Sequence, residues 1–387
     1  MSVTAPLGFV ASGVRAGIRK SAPDLALVHS TVPAVGAGMF TVNRVQAAPV
    51  VVSKEHLAAA EPQAVVVNSG SANAATGAQG LADARETAAK AAALLGLRPE
   101  QVLVLSTGVI GALLPMEKLL TGLAEAAGAL SPAGGAAAAG AILTTDTKSK
   151  TAVVSRDGFT VGGMAKGAGM IHPVLATMLA VVTTDYPLGS GEAIAFLRPA
   201  VETSFNRITV DGECSTNDAV VLLANGQSRV RRDATLDASF EAALGEVCAD
   251  LARQIVEDGE GATVLLQVAV SGAATDDEAH AIAARIATSP LVKTAAFGRD
   301  ANWGRVLAAA GSATWNGGFA RLDPDLVTLS FNGTAVFAAG APTGAEPELH
   351  GAVCRIELEL GLGAGAAEYL SSDLSYEYVR VNAEYRT

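Results

Sequence analysis

Aromatic side chains make up only 4% of this chain although half of its residues are hydrophobic, so Ala, Val and Leu carry the apolar content. With 41 glycines besides, that mixture excludes a fibrous or disordered protein and indicates tight packing of small side chains. Cysteine is scarce as well. Cys214, Cys248 and Cys354 are far apart and show no C-x-x-C spacing, which excludes a disulfide framework and a cysteine-based zinc site. Cys214 reads as a small buried packing residue. The five histidines are scattered without an H-E-x-x-H pair, so no metal is expected. No run of Lys and Arg could follow a phosphate backbone and the formal charge is −11, so nucleic acid is not an expected partner. Met1 to Ile18 has neither a basic leader nor a continuous apolar stretch, and Gly134 to Leu143 is too short and small-sided to cross a bilayer. A cytoplasmic protein without membrane partners is the expectation.

What is present fills a chain of 387 residues, enough for two or more domains. Strand-like runs recur at Ala64–Val67, Val102–Leu105, Ala152–Ser155, Leu179–Thr183, Ala219–Leu223, Thr263–Val270, Val327–Phe331 and Arg355–Leu360. Helical spacing marks Leu81–Leu95 and Leu236–Glu257. Thr275-Asp-Asp-Glu278 has the form of a capping box, with Thr275 reaching a free amide and Glu278 reaching back. Ser131–Ala141 reads as a helix–turn–helix connection. The fold class expected is mixed α/β (α+β), with a more β-rich last 125 residues.

Several segments hold Gly, Ser, Thr and Asn where packing would want apolar residues. They are Asn68-Ser-Gly-Ser-Ala-Asn-Ala-Ala-Thr-Gly77, Ser106-Thr-Gly108, Thr144-Thr-Asp-Thr147 and Gly162-Gly-Met-Ala-Lys-Gly-Ala-Gly-Met170. Ser106-Thr107-Gly108 directly follows a strand, so its backbone N–H groups are placed to meet a ligand or a developing oxyanion. Each segment alone is weak evidence, since small polar residues after a strand are more often a plain turn; their number in one chain is the signal. Familiar templates are missing: there is no P-loop and no G-x-S-x-G elbow, and Gly361-Leu-Gly-Ala-Gly365 has the wrong spacing for a dinucleotide fingerprint.

The run Lys166-Gly-Ala-Gly-Met-Ile-His-Pro-Val-Leu-Ala176-Thr177-Met178-Leu179 leads from flexible glycines through a small residue to Thr at the head of a strand. A Thr hydroxyl needs a base to act as a nucleophile. If the Ala176–Thr177 bond is cut, the new α-amine of Thr177, with an ordinary pKa of roughly 7.7–8.0, supplies that base within its own residue. His172 reads as a turn residue, with a base for the cleavage step as its functional alternative.

Here the chain resembles the ornithine acetyltransferases (glutamate N-acetyltransferases), many of which also act as N-acetylglutamate synthases. The resemblance spans essentially the whole chain. It includes Asn68-Ser-Gly-Ser-Ala-Asn73, Ser106-Thr-Gly-Val-Ile-Gly111, Thr144-Thr-Asp146, Asp211-Gly-Glu-Cys-Ser-Thr-Asn-Asp218, Asp258-Gly-Glu-Gly261, Asn302-Trp-Gly-Arg305 and Val381-Asn-Ala-Glu-Tyr-Arg-Thr387. It implies stacked β-sheets between helix layers, related to self-processing aminopeptidases, and a precursor split at Ala176–Thr177 into an α chain (1–176) and a β chain (177–387), reassembled as α2β2. It implies a ping-pong reaction in which Thr177 takes acetyl from N-acetylornithine, releases ornithine and passes the acetyl to glutamate, giving N-acetylglutamate. Thr107 and Gly108 match the oxyanion hole, and Thr144, Lys166, Thr177, Glu260, Asn382 and Thr387 match substrate-binding positions. Lys166 suits an α-carboxylate and Glu260 an ammonium, both present on each amino-acid substrate. No cofactor is implied; acetyl-CoA stands open as a second acetyl donor. Ser149, where the family often has Pro, is a departure of little consequence.

Two other functions stay open at this point. A self-processing amide hydrolase or aminopeptidase would pass the acyl group to water, and a secondary-metabolism paralogue would use another acceptor. A processed but inert binding protein has no residue in its favour. The tail Tyr378–Val381 alternates polar and apolar residues, and is expected to be a strand whose following residues fold over the site.

Overall fold

Strands form where the sequence alternates between two different cores. In the computed structural model, which describes residues 2–172 and 178–384, a first unit comprises the chain up to Asn206 and Glu213–Ile255. It begins with β1 (Phe9–Val14), β2 (Leu25–Ser30), β3 (Val35–Phe40), α1 (Ala48–Ala59), β4 (Ala64–Ser71), α2 (Gly77–Leu95), β5 (Val102–Val109), α3 (Met116–Gly128) and α4 (Gly135–Ala141). There follow β6 (Lys150–Arg156), β7 (Phe159–Lys166), β8 (Leu179–Thr184) and α5 (Ala193–Glu202). After β9 (Ile208–Thr209), which belongs to the second unit, β10 (Ala219–Ala224) and α6 (Ala234–Glu257) return to the first.

One sheet runs β1-β2-β4-β5, the other β3-β10-β8-β7-β6. Alternate residues of the first sheet divide between two cores, as the two-residue period of a strand requires. Val28, Val65, Val67, Leu103 and Leu105 meet Met164, Leu179, Val181, Val221 and Leu223 of the second sheet. Leu27, Val66, Val102 and Val104 turn the other way, against Ala84 and Ala88 of α2 and Leu119 and Leu123 of α3. Fully burying each such Val or Leu contributes roughly 1.5–3 kcal/mol. On the far side of the second sheet, Gly163 leaves room for Leu251 and Val247 of α6, which would lie 2.8 and 3.1 Å from a Cβ there. Phe159, Tyr186 and Phe240 pack as one aromatic group on that side. The unit is therefore a helix–sheet–sheet–helix stack, as expected.

The second unit holds β11 (Leu265–Ala273), α7 (Asp276–Ala287), α8 (Pro290–Phe297), α9 (Trp303–Ala310), β12 (Thr314–Trp315), β13 (Gly318–Phe319), β14 (Thr328–Phe331), β15 (Thr334–Ala338), β16 (Ala341–Pro342), β17 (Val353–Glu359), β18 (Gly365–Ser372) and α10 (Tyr376–Glu384). Its seven-stranded sheet has the order β16-β15-β14-β17-β11-β18-β9, with α7 packed on β11 and β18. This part is the more β-rich one.

Three expectations need correction. Thr275 does cap α7, its Oγ1 accepting from the Glu278 amide at 3.2 Å, but the Glu278 carboxylate turns to Arg321, 2.7 Å from its Nη2. An ion pair with a guanidinium replaces the reciprocal half of the box. The tail is not a strand: Tyr376–Glu384 is helical, begun by Ser375 Oγ accepting from the Tyr378 amide and laced by Arg380 to Glu377 and Glu384. No residue of α10 is buried, so its apolar residues have no sheet to alternate against. Cys214 is only partly buried, whereas Cys248 and Cys354 are buried.

Candidate active site

In the first unit, β4 and β5 run parallel and end together, pairing Ser69 with Thr107 and Gly70 with Gly108 before the register slips at Ser71. A Cβ on Gly108, whose φ is +130°, would sit 2.4 Å from the Gly70 carbonyl carbon. Gly70 has φ +109°, and its missing side chain makes room for Arg19, whose Cγ would be 2.8 Å from a Cβ there. Only glycines allow this approach. Side-chain amides then fix the corner. Ser106 Oγ donates to Asn68 Oδ1 at 2.6 Å, and Asn68 Nδ2 donates to the Ser71 carbonyl at 2.9 Å. Asn217 Nδ2 donates to the carbonyls of Ala72 (2.6 Å) and Ser106 (2.8 Å).

The second sheet brings three strand ends to the same unit's interior. Lys166, the last residue of β7, pairs with Leu179 at the start of β8, and Leu179 also pairs with Ala219 at the start of β10. Lys166 is buried, and its Nζ donates to Thr107 Oγ1 at 3.3 Å. The turn from Thr144 to Lys150 closes over them. Asp146 accepts from Lys150 Nζ (2.7 Å), the Gly167 amide (2.7 Å) and the Thr144 amide (2.9 Å), with Lys166 Nζ 3.9 Å away. Burial by itself would raise the Asp146 carboxyl, but the charges of Lys166 and Lys150 and the bonds from Lys150 and Thr144 outweigh it. The group is held well below the usual carboxylate range, as a permanent anion. Arg19 adds bonds from Nη1 to the Leu143 carbonyl (2.7 Å) and from Nη2 to that of Thr144 (3.3 Å).

Asp218, just before β10, is fully buried and its Oδ1 accepts from the Met178 amide at 3.0 Å, while Oδ2 has no hydrogen-bond partner among the described residues. Desolvation pushes its carboxyl well above the ordinary value, against the Met178 bond, the charge of Lys166 and the Ser215 hydroxyl. The two buried aspartates that face one lysine are thus shifted in opposite directions, the kind of divergence that marks sites of acid–base work.

Thr107, Gly108, Thr144 and Lys166 are accordingly brought together in one unit. Ala176, Thr177 and Thr387 lie outside the described residues. Glu260 and Asn382 belong to the second unit, where Asn382 Nδ2 donates to Glu260 Oε2 at 2.8 Å. His172 is partly buried with Nδ1 unbonded among the described residues; burial lowers its pKa and Glu213 opposes that. Sequence reasoning gave no role to Asp146, Asn217 or Asp218, although all three stand in segments it singled out. Arg19 and Lys150 carried no signal of their own. Among the described residues no group of His, Cys, Asp and Glu is placed to hold a metal, and no helix is long and apolar enough to cross a membrane.

A model of the ArgJ family matches residues 10–387, nearly the whole chain. The chain belongs to the ArgJ family. It is accordingly an enzyme, an acyltransferase. It is similar to the arginine biosynthesis bifunctional protein ArgJ of Syntrophotalea carbinolica, 48% identical over 98% of this chain and 99% of that one. The ArgJ of Streptomyces coelicolor is also 48% identical, over the full length of both. Among solved structures, the ornithine acetyltransferase of Mycobacterium tuberculosis complexed with ornithine is 48% identical, covering 44% of this chain and 94% of that chain with a TM-score of 0.44.

Proposed function

We propose that this ArgJ-family enzyme moves an acetyl group from N-acetylornithine to glutamate through an acetyl ester on Thr177. The observation that carries the reading is the meeting of the Thr107–Gly108 strand end with Lys166, whose neighbour in the sheet, Leu179, is two residues beyond Thr177. Self-cleavage at Ala176–Thr177 frees the α-amine that deprotonates the Thr177 hydroxyl. The hydroxyl oxygen attacks the acetyl carbonyl, and the negative charge falls on the carbonyl oxygen, where the amide of Gly108 and the hydroxyl of Thr107 stabilise it. One such donor is worth about 3 kcal/mol in a site closed to water. Collapse returns the proton to the ornithine nitrogen and leaves acetyl-Thr177. Glutamate then repeats the steps in reverse, its amine taking the acetyl group.

Lys166 supplies a fixed cation for a substrate α-carboxylate, and Asp146 keeps that cation and the Thr144 backbone in place. Thr144, Glu260, Asn382 and Thr387 are proposed substrate contacts on the family's pattern. The two chains, 1–176 and 177–387, are proposed to reassemble as α2β2 in the cytoplasm. The test is a donor comparison. Purified enzyme is given N-acetylornithine or acetyl-CoA, with and without glutamate. Glutamate-dependent ornithine release supports transfer, and release that glutamate does not accelerate points instead to an amide hydrolase. N-acetylglutamate formed from acetyl-CoA adds the second donor.

A further inference from the structure

Asn217 and Asp218 are consecutive residues, both buried, and each reaches a different side of the catalytic corner. Asn217 uses both amide hydrogens on the carbonyls of Ala72, just past β4, and Ser106, within β5, and its Oδ1 accepts from Thr216 Oγ1 at 2.6 Å. Its own amide is held by Ser215 Oγ at 3.1 Å. Ser106 immediately precedes Thr107. Asp218 holds the amide of Met178, which immediately follows Thr177. Ala219, the next residue, is locked into the sheet beside Leu179. A buried amide with donors and acceptor all engaged, beside a buried carboxyl that holds a backbone N–H, is a costly arrangement for mere packing, where apolar residues would serve.

We propose that the Asn217–Asp218 pair is a positioning element that sets the separation of the Thr177 nucleophile from the Thr107–Gly108 oxyanion donors, one residue gripping each side. The inference rests on the reading of Thr177 as the nucleophile. Among the described residues their side chains hold backbone groups of Ala72, Ser106 and Met178. They act through the backbone on which those atoms are mounted, and a displacement of about 1 Å there is enough to cost on the order of 10²-fold in rate. For Asp218 the part that matters is the acceptor oxygen rather than a negative charge. Burial raises its pKa, which agrees with this, because a carboxyl oxygen accepts from Met178 whether or not the group is charged.

The experiment compares Asn217→Ala, Asp218→Ala, the double variant and Asp218→Asn in the full chain. Thermal unfolding, the first-order rate of self-cleavage, and kcat and KM for glutamate-dependent ornithine release are measured. Each alanine variant should lower kcat by roughly 10–100-fold with KM little changed. The double variant should be no worse than the poorer single one, since one separation cannot be lost twice. Asp218→Asn keeps the acceptor and should recover most of what alanine loses. Where alanine leaves the chain unfolded, Asn217→Ser and Asp218→Ser take its place with the same expectation. Folded alanine or serine variants with the parent kcat, or losses that multiply in the double variant, overturn the proposal. Thr177→Ala separates the two levels. If it still transfers acetyl, the nucleophile reading itself has failed. If it is inactive while the Asn217 and Asp218 variants behave as the parent, only this inference has.

Discussion

Replacing Gly108 by Ala strikes the oxyanion corner at a place where the backbone has no slack. The added Cβ would stand 2.4 Å from the Gly70 carbonyl carbon and 2.7 Å from both its Cα and its oxygen. Carbon atoms pack at about 3.5–4.0 Å, so β4 and β5 must part by roughly 1 Å. Because φ at Gly108 is +130°, the Ala backbone adds strain of about 1–3 kcal/mol. If the amide of residue 108 stabilises the oxyanion, moving it by that distance forfeits about 3 kcal/mol, or roughly 10²–10³ in kcat. Gly96, in the left-handed cap that ends α2 at φ +70°, has nothing within 4 Å of a built Cβ. Gly96→Ala therefore shares the backbone strain, about 1–2 kcal/mol, without the displacement. Steady-state ornithine release and thermal unfolding of both variants are the assay. Both should melt lower than the parent, and only Gly108→Ala should lose kcat, with KM nearly constant. A Gly108→Ala enzyme with the parent kcat, or equal losses in the two variants, refutes the oxyanion assignment.

Other outcomes follow from the same geometry. Thr107→Ala removes the hydroxyl that Lys166 touches and should lower kcat by roughly 10²–10³ with a modest change in KM. Asp146→Asn breaks a buried ion pair and should cost about 3–5 kcal/mol of stability, read by denaturant unfolding. Because the folded Asp146 pKa lies below its unfolded value, its contribution is present above the unfolded value near 3.9 and fades as pH falls through and below it. Asp218 has the opposite sign. Its folded pKa is raised, so it is a growing liability as pH rises above about 3.9, and Asp218→Asn should melt higher than the parent at neutral pH, with the gap closing toward pH 4. Lys166 and Cys214 are the titratable groups facing it, and both are retained in that variant. Deleting Asn382–Thr387 should leave self-cleavage intact and sharply reduce transfer to glutamate; parent rates in the processed truncate would show the tail to be dispensable.

Strands of the first unit were legible because Val65, Val66 and Val67, or Leu103, Val104 and Leu105, are apolar on both faces, and only a strand between two cores needs that. The glycines of the site were legible as an excess, but not as partners, since Gly70 and Gly108 meet only once β4 and β5 pair in parallel. The same holds for Asp146, whose lysines sit at the beginning of one hairpin strand and the end of the next and converge only when β6 and β7 fold together. Asn217 and Asp218 were quoted in a motif, yet what they hold lies more than a hundred residues away for Ser106 and forty for Met178. Tyr378–Val381 misled because four alternating residues fit either period. The deciding signals were Ser375 at the cap and the Glu377, Arg380 and Glu384 spacing of three and four, which suits a solvated helix.

The nucleophile can be caught directly. Enzyme purified as the full chain is incubated with N-acetylornithine in the absence of glutamate, quenched, and its fragments are weighed and sequenced by mass spectrometry. The expected result is a fragment beginning at Thr177 that carries one acetyl group as an ester on that residue, formed with one equivalent of ornithine and lost when glutamate is added. An intact, fully active chain, or an acetyl group carried on any residue other than Thr177, contradicts the mechanism.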